Sequence, residues 1–382
     1  MTMMKFLHTS DWHIGKLVHG IHMTEDQKHI LNQLVAAVER EKPDAIFIAG
    51  DIYDRSVPPV EAVVLVNDTL NRLVQLGCKV FIIPGNHDSA QRLGFGKEIL
   101  KHSNVFIADC LEEALKPISF EVQGERVSVY LTPFLEPAIV RYKTGDDSIK
   151  THDDVFGYLY EQWQTTLDRL HFNVLLAHGF FGKDSSVSES ERPLAVGGTE
   201  IITHDRVDLF DYVALGHLHK PQKVALDHIR YSGSLLKYSF SEANQVKGIT
   251  WIRRNGSEIM ISQEQLHCLR DMRIIEGELK ELLNSQEGSA EDYLMAVLTD
   301  KGDLYEPLKQ LRTVYPNILK LVQTRSDIQL VDNGLTTTVL EKQDMKSLFE
   351  SFYNDMYEEP LSDEEETFIS DMVIRAQKEG GV

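Results

Sequence analysis

Through the first two thirds of the chain, short apolar runs alternate with longer stretches whose apolar residues recur every third or fourth position. Lys5–His8, Ala45–Ala49, Val80–Ile83, Val105–Ala108, Val127–Leu131, Val174–Ala177 and Tyr212–Leu215 are apolar almost without interruption, which predicts strands buried on both faces. Glu25–Arg40 and Val60–Leu76 carry helical spacing instead. The alternation predicts an α/β sheet covered by helices. After Leu215 the pattern turns β-rich, with Ile229–Ser232, Gly248–Ile252 and Glu258–Ser262 expected as hairpin strands closing the sheet.

Around Gln265 the character changes. Met272–Glu276, Glu278–Leu283, Tyr293–Leu298, Tyr305–Val314 and Ile318–Thr324 predict strand, helix, strand, helix, strand. This gives a small α+β domain over Gln265–Leu340, without a chemical motif. Residues 341–382 read as amphipathic helices with apolar residues such as Phe349, Phe352 and Met372, and an acidic run that includes Asp363, Glu364, Glu365 and Glu366. Ser362 and Glu365 fit a capping box. Such helices either dock on a partner or pack back on their own chain.

A length of 382 residues allows two or three domains. No apolar run approaches the roughly 18–20 residues needed to cross a bilayer, and the polar start lacks the apolar core of a signal peptide. The cysteines, Cys78, Cys110 and Cys268, are scattered and odd in number, so a disulfide framework is not expected and a reducing cytoplasm is. The net charge of -20 argues against tight phosphate binding by a broad basic surface.

Polar residues able to bind metal stand just past successive strands. Asp11 and His13 follow the first, in SDWHIG; Asp51 follows the second, in AGDIYDR; Asn86, His87 and Asp88 follow the third, in PGNHDS. His178 follows VLLA, and His217 and His219 follow YVAL, in GHLHKP. Loops at the carboxyl ends of strands in an α/β sheet open onto a common crevice. Each motif alone is weak, since a Gly-Asp pair is usually a turn and histidines are often plain surface residues. Five in order are hard to explain as turns. The donors mix oxygen and nitrogen with no thiolate, which favours manganese, magnesium or iron over a structural zinc. Seven side chains are too many for one cation and suit two with one shared carboxylate. Such a pair can hold a hydroxide and neutralise a phosphate ester.

The series D-x-H, G-D-x-x-D, G-N-H-D, H-G and G-H-x-H resembles the calcineurin-like metallophosphoesterases. KFLHTSDWHIGK, GDIYDRSVPP, PGNHD and GSLLKYSFSE most resemble their SbcD-type nuclease subunits. The resemblance implies a metallophosphoesterase β-sandwich flanked by helices over residues 1–264, a small α+β capping domain over 265–340 and a helical partner-binding segment over 341–382. It implies one metal on Asp11, His13, Asp51 and His219, and another on Asp51, Asn86, His178 and His217, two Mn2+ ions before Mg2+ or Fe2+. Metal-bound hydroxide would attack a phosphodiester, with His87 protonating the leaving sugar oxygen.

Archaeal relatives have a second histidine where this chain has Asp54, so a carboxylate–histidine pair, Asp54–His87, is expected instead. The implied activity is double-strand exonuclease and hairpin or single-strand endonuclease cutting in DNA repair, recombination and replication. It would take place within an ATP-dependent complex with a coiled-coil ATPase of the SbcC type. Lys16, Arg55, Arg92, Lys183, Lys220 and Lys223 lie on motif loops and form either a DNA-contacting patch or ordinary solvated charges. The helix at 60–76 and the segment 92–100 resemble dimer-forming elements. Of the other histidines His204 is the most suggestive; Trp12 and Phe181 line the site or, more simply, pack in the core. Two rival functions remain, a protein or nucleotide phosphatase with the same chemistry and a metal-free scaffold. The scaffold reading sits badly with a complete ligand set, and the extra C-terminal region has no use in a small-molecule phosphatase.

Overall fold

The computed structural model describes residues 3–182, 191, 200–284 and 288–324. The expected segment 341–382, the stretch 325–340 and Lys183 lie outside the described residues. No described helix is long and apolar enough to cross a membrane.

Two six-stranded sheets form the body, rather than one open sheet. The first is built on β1 (Met4–Thr9), β2 (Ala45–Ala49), β3 (Lys79–Ile83) and β4 (Val105–Ile107), all parallel and adjacent in that order. The second contains β5 (Ile118–Val122), β6 (Glu125–Thr132), β7 (Phe172–His178), β8 (Tyr212–Gly216), β9 (Gln222–Val224) and β10 (Leu226–Tyr231), in the order β9-β10-β8-β7-β6-β5. The hairpin β11 (Gly248–Asn255) and β12 (Glu258–Gln265) returns to the first sheet, β11 pairing antiparallel with β1.

Apolar residues on both faces of the central strands explain the layering. Phe6, Phe47, Phe81, Val129, Val174, Leu176 and Ile252 meet in one buried cluster between the sheets. The opposite face of the first sheet is covered by α1 (Thr24–Glu41) and α2 (Val60–Gln75), through Ile30, Leu34, Val38 and Val66 against Ile46, Ile48 and Ile82. α3 (Pro137–Thr144) and α4 (His152–Thr166) cover the second, through Val140, Leu159 and Trp163 against Leu175 and Val213. The β-sandwich flanked by helices is therefore present, and its parallel strands carry their carboxyl ends, and the loops that follow them, to one edge of the sandwich.

A smaller parallel sheet follows, with β13 (Met272–Gly277), β14 (Tyr293–Leu298) and β15 (Ile318–Gln323). The short helices Leu279–Asn284 and Pro307–Leu311 pack over it, with Leu282, Leu294, Leu311 and Tyr315 in its core. Met272 and Tyr293 instead join the cluster beneath α1, with Met23. The helix expected over Tyr305–Val314 is confined to Pro307–Leu311, and the residues before it include Gly302 and Glu306 at positive φ.

Candidate metal centre

The loops after β1, β2, β3, β7 and β8 bring the sequence-predicted residues together. The first three belong to one sheet and the last two to the other, so the crevice lies across the sandwich rather than along a single open sheet. Asp11, His13 and His219 place ligand atoms within 4.8 Å of one another, as do Asp11, Asp51 and His178. Asp51 Oδ2 stands 3.5 Å from His13 Nε2 and 3.5 Å from His178 Nε2. Nε2 of His13 and of His219 are 3.0 Å apart. Asn86 Oδ1 lies 3.0 Å from His178 Nε2 and 3.0 Å from His217 Nδ1. Asp11, His13, Asp51, His178 and His219 are buried, whereas Asn86, His87 and His217 are half-buried and form the open side.

The backbone is bent to achieve this. Asp11, His13, Asp51 and His217 all adopt positive φ, at 52°, 46°, 50° and 111°. Such angles are uncommon for residues other than glycine and gather at functional sites. Close packing of loops explains two glycines. A Cβ on Gly85 would sit 2.2 Å from Asp51 Oδ1, and one on Gly216 would sit 1.8 Å from the Ala49 carbonyl oxygen.

Surrounding groups fix how the rings point. His178 Nδ1 is 2.9 Å from the Ala49 carbonyl, which only accepts, so Nδ1 carries a proton and Nε2 faces inward toward Asp51. His219 Nδ1 is 3.2 Å from Glu242 Oε1, which directs His219 Nε2 to the site in the same way. Glu242 is fully buried and its other oxygen pairs with the buried Lys247 at 2.5 Å. Asp88 accepts from the amides of Ile52, Tyr53 and Gly85, lashing the loop of Asp51 to that of His87. In the sequence Asp88 stood only among the residues able to bind metal, and Glu242 had no assigned role. Asp88 is embedded in the GNHD motif, and Glu242 ends GSLLKYSFSE, but what each holds depends on chain neighbours far away.

Burial and charge set the protonation pattern. Burial pushes the Asp11 carboxyl up to about 6, against the pull of His178 and His219. Burial pushes Asp51 up as well, but His178, His13 and His87 together outweigh it and hold it well below the usual carboxylate range. Burial lowers His178, yet the Asp51 charge reverses the balance and raises it to about 9. Burial drives His13 well down and His217 down to about 3. The lowering holds His13 and His217 neutral, the form in which imidazole binds metal, while Asp51 favours a charged His178.

These residues fit a pair of cations. Asn86 Oδ1, Asp51 Oδ2 and several imidazole lone pairs face one another across about 3 Å, the separation of neighbouring donors around one ion with bonds of ~2.1 Å. Acceptors facing acceptors in a buried space repel unless protons or cations lie between them. Asp51, set between His13 and His178, is the carboxylate that both could share.

His87 borders the centre. Its amide donates to Asp51 Oδ1 at 3.0 Å and its ring crosses that of His13 edge-on, with centroids 4.8 Å apart. The expected Asp54–His87 pair takes another form. His87 Nδ1 lies 2.9 Å from the Asp54 main-chain carbonyl. The Asp54 carboxylate meets Lys16 Nζ at 2.7 Å and His13 Nδ1 at 3.7 Å, because the turn aims the side chain toward the Lys16 loop. Lys16 is accordingly committed to Asp54. Arg55, Arg92 and Lys220 are exposed, Arg55 reaching Asp54 at 3.7 Å, and Lys223 pairs with Asp227 at 2.8 Å. Trp12 and Phe181 are core residues, with Trp12 Nε1 donating to Thr9. His204 sits outside the cluster, 3.0 Å from Asp205.

Oxygen and nitrogen donors gathered around Asp51, with a histidine at the rim, suit a dimetal phosphoesterase centre. The chain belongs to the calcineurin-like phosphoesterase family, whose model matches residues 4–221. Residues 268–357 match the Type 5 capsule protein repressor C-terminal domain, the SbcD_C family. The two matches together bear out the resemblance to SbcD-type chains.

Solved structures similar to this chain include TT1561 of Thermus thermophilus, at 13% identity over 69% of this chain and 99% of that one, with a TM-score of 0.39. A dimetal phosphatase from Danio rerio is 9% identical over 70% of this chain and 98% of its own, with a TM-score of 0.41. The NAD nucleotidase of Haemophilus influenzae is 13% identical over 70% of this chain and 50% of its own, with a TM-score of 0.27. These overlaps are too loose to carry any assignment.

Proposed function

We propose that the chain is a two-metal DNA nuclease and the nuclease subunit of an ATP-dependent repair complex. The observation that carries it is the Asp51 carboxylate held equally between His13 and His178, with His87 fixed at its edge. One cation would rest on Asp11, His13, Asp51 and His219, the other on Asp51, Asn86, His178 and His217. Bound there, a divalent pair such as Mn2+ supplies an activated water and neutralises charge on the phosphoryl oxygens.

The protein's own residues do the rest. Asp51 and Asp88 hold the loop that presents His87. The Asp54 carbonyl engages His87 Nδ1, leaving Nε2 to protonate the departing sugar oxygen, a contribution of roughly 10²–10⁴-fold. Neutral His13 and His217 offer lone pairs without first losing a proton.

The same centre would serve a protein or nucleotide phosphatase. The match over residues 268–357 favours the nuclease, as does the need for a second region to receive a coiled-coil ATPase of the SbcC type. In this reading residues 1–264 are the nuclease domain, 265–340 the capping domain and 341–382 the partner-binding segment. Val60, Phe95 and Ile99, exposed at 74%, 86% and 76% beside an apolar groove between α2 and Leu93, support a homodimer through residues 60–76 and 92–100. The free cysteines fit a cytoplasmic protein. Exposed Arg55, Arg92 and Lys220 would meet the DNA backbone locally, so cutting should be steeply salt-sensitive.

The deciding experiment offers the Mn2+-loaded chain a hairpin DNA, a phosphoprotein and a nucleotide side by side. Cleavage of the hairpin supports the nuclease. Hydrolysis confined to the phosphoprotein or nucleotide replaces it with the phosphatase, and a chain inert toward all three and free of bound metal would be a scaffold.

A further inference from the structure

The first turn of α1 touches both the Asp11–His13 loop and the small C-terminal sheet. Gln27 is buried, and its side chain closes onto the carboxyl-terminal end of that loop. Its Nε2 donates to the His13 carbonyl at 2.7 Å and to the Tyr238 hydroxyl at 3.1 Å, while its Oε1 accepts from the Gly15 amide at 3.0 Å. The clasped stretch, His13–Gly15, begins at the positive-φ residue His13, two positions past Asp11, which is also at positive φ. A strained turn persists only where its surroundings over-determine it, and Gln27 supplies hydrogen bonds that do so.

The next residue back along the helix faces the other way. Asp26 is fully buried, and its Oδ2 accepts from Arg270 Nη1 at 2.9 Å and from the Tyr293 hydroxyl at 2.8 Å. Arg270 also reaches Glu25 at 2.6 Å. Tyr293 opens β14, and Arg270 lies just ahead of β13, so both partners belong to the small sheet. A buried carboxylate stripped of its cation is costly, so the seating of that sheet and the placement of the helix's first turn are bound together.

We propose that Gln27 is a positioning residue for the Asp11–His13 loop, and that Asp26 makes this positioning depend on how the small sheet is seated. The inference rests on reading that loop as part of the metal centre. A partner that shifts the small sheet would then alter cation affinity without touching a ligand. Gln33, farther along α1, also spans to the small region through the main chain of His267. It lies away from the metal loops, which makes it the natural control.

Hydrogen–deuterium exchange on the metal-free full-length chain tests the link. In Gln27→Met and in Arg270→Gln the peptide covering Asp11–Lys16 should exchange about tenfold faster, the effect of losing one buried hydrogen bond. The double variant should exchange no faster than Gln27→Met alone, and Gln33→Ala should match the wild type. Calorimetry should show Mn2+ binding weakened by about tenfold in the same two variants.

A wild-type exchange rate in Arg270→Gln overturns the coupling, and one in Gln27→Met overturns the positioning role. Additive effects in the double variant also overturn the coupling. Gln27→Glu keeps the acceptor for Gly15 and loses the donor to His13, and it takes the place of Gln27→Met if that variant does not fold. A wild-type chain that bound no Mn2+ would remove the proposed function alone, since the exchange rates decide this inference without a cation.

Discussion

His87 is held by the main chain of Asp54 rather than by its side chain: Nδ1 lies 2.9 Å from the carbonyl, while the carboxylate turns to Lys16. The carbonyl makes the orienting contact, although an Asp54 carboxylate oxygen also lies within 4.8 Å of a His87 ring nitrogen. Replacing the carboxylate therefore leaves the orienting contact in place. Asp54→Asn should cost less than about tenfold in kcat on a simple phosphodiester, under ~1.4 kcal/mol. A loss of several hundredfold, or a displaced acid limb in the pH profile, would return the orienting role to the carboxylate.

Asp51 carries the opposite expectation. It faces both His13 and His178 and also accepts from the His87 amide. Asp51→Asn should lower activity by about 10³-fold, ~4 kcal/mol, and cut bound metal from two ions toward one or none. Metal analysis showing two tightly held ions in that variant would refute the shared-carboxylate arrangement.

Glu242 acts through His219 and is itself locked to Lys247. Glu242→Gln should weaken metal binding by about 10–100-fold. It should also destabilise the fold by about 3–5 kcal/mol, because a buried ammonium loses its partner. Adding Lys247→Met should restore most of the stability but not the metal affinity. Recovery of both together in a melting and calorimetry series would mean that Glu242 matters only for packing.

Asp88 receives three amide donors from two separate loops. Asp88→Ala would leave them unpaired in a crowded place, at about 1–3 kcal/mol for each that water fails to reach. Thermal melts should fall clearly, and kcat should fall more than KM rises because the His87 loop drifts. An unchanged melting temperature would show that the lashing is dispensable.

Much of this was legible along the chain. Ala45–Ala49 stands out in sequence because it is apolar throughout, and it is apolar throughout because both its faces are buried. The order of acceptors past successive strands gave the cluster for the same reason. β5 escaped notice because only alternate side chains are covered at that sheet edge, giving the weak run ISFEV. α4 was missed although Thr151 and Asp154 form a capping box; Gly157 and mixed polarity hide its periodicity. The second sheet could not be inferred from apolar runs, since a strand buried between sheets and one beneath helices read alike. Supporting contacts such as Glu242 to His219 depend on which loops meet, and strand patterns do not encode that.

β8 lies beside β7 with Gly216 opposite His178, and the loops from the other sheet arrive at the same edge. The centre consequently has no half-built version. During synthesis Asp11, His13, Asp51 and Asn86 leave the ribosome well ahead of His178, His217 and His219. A stalled or clipped chain ending ahead of His217 would lack two of the imidazoles that close the cluster and should hold metal poorly. Completion of the metal centre is in this sense postponed until both sheets have closed on each other.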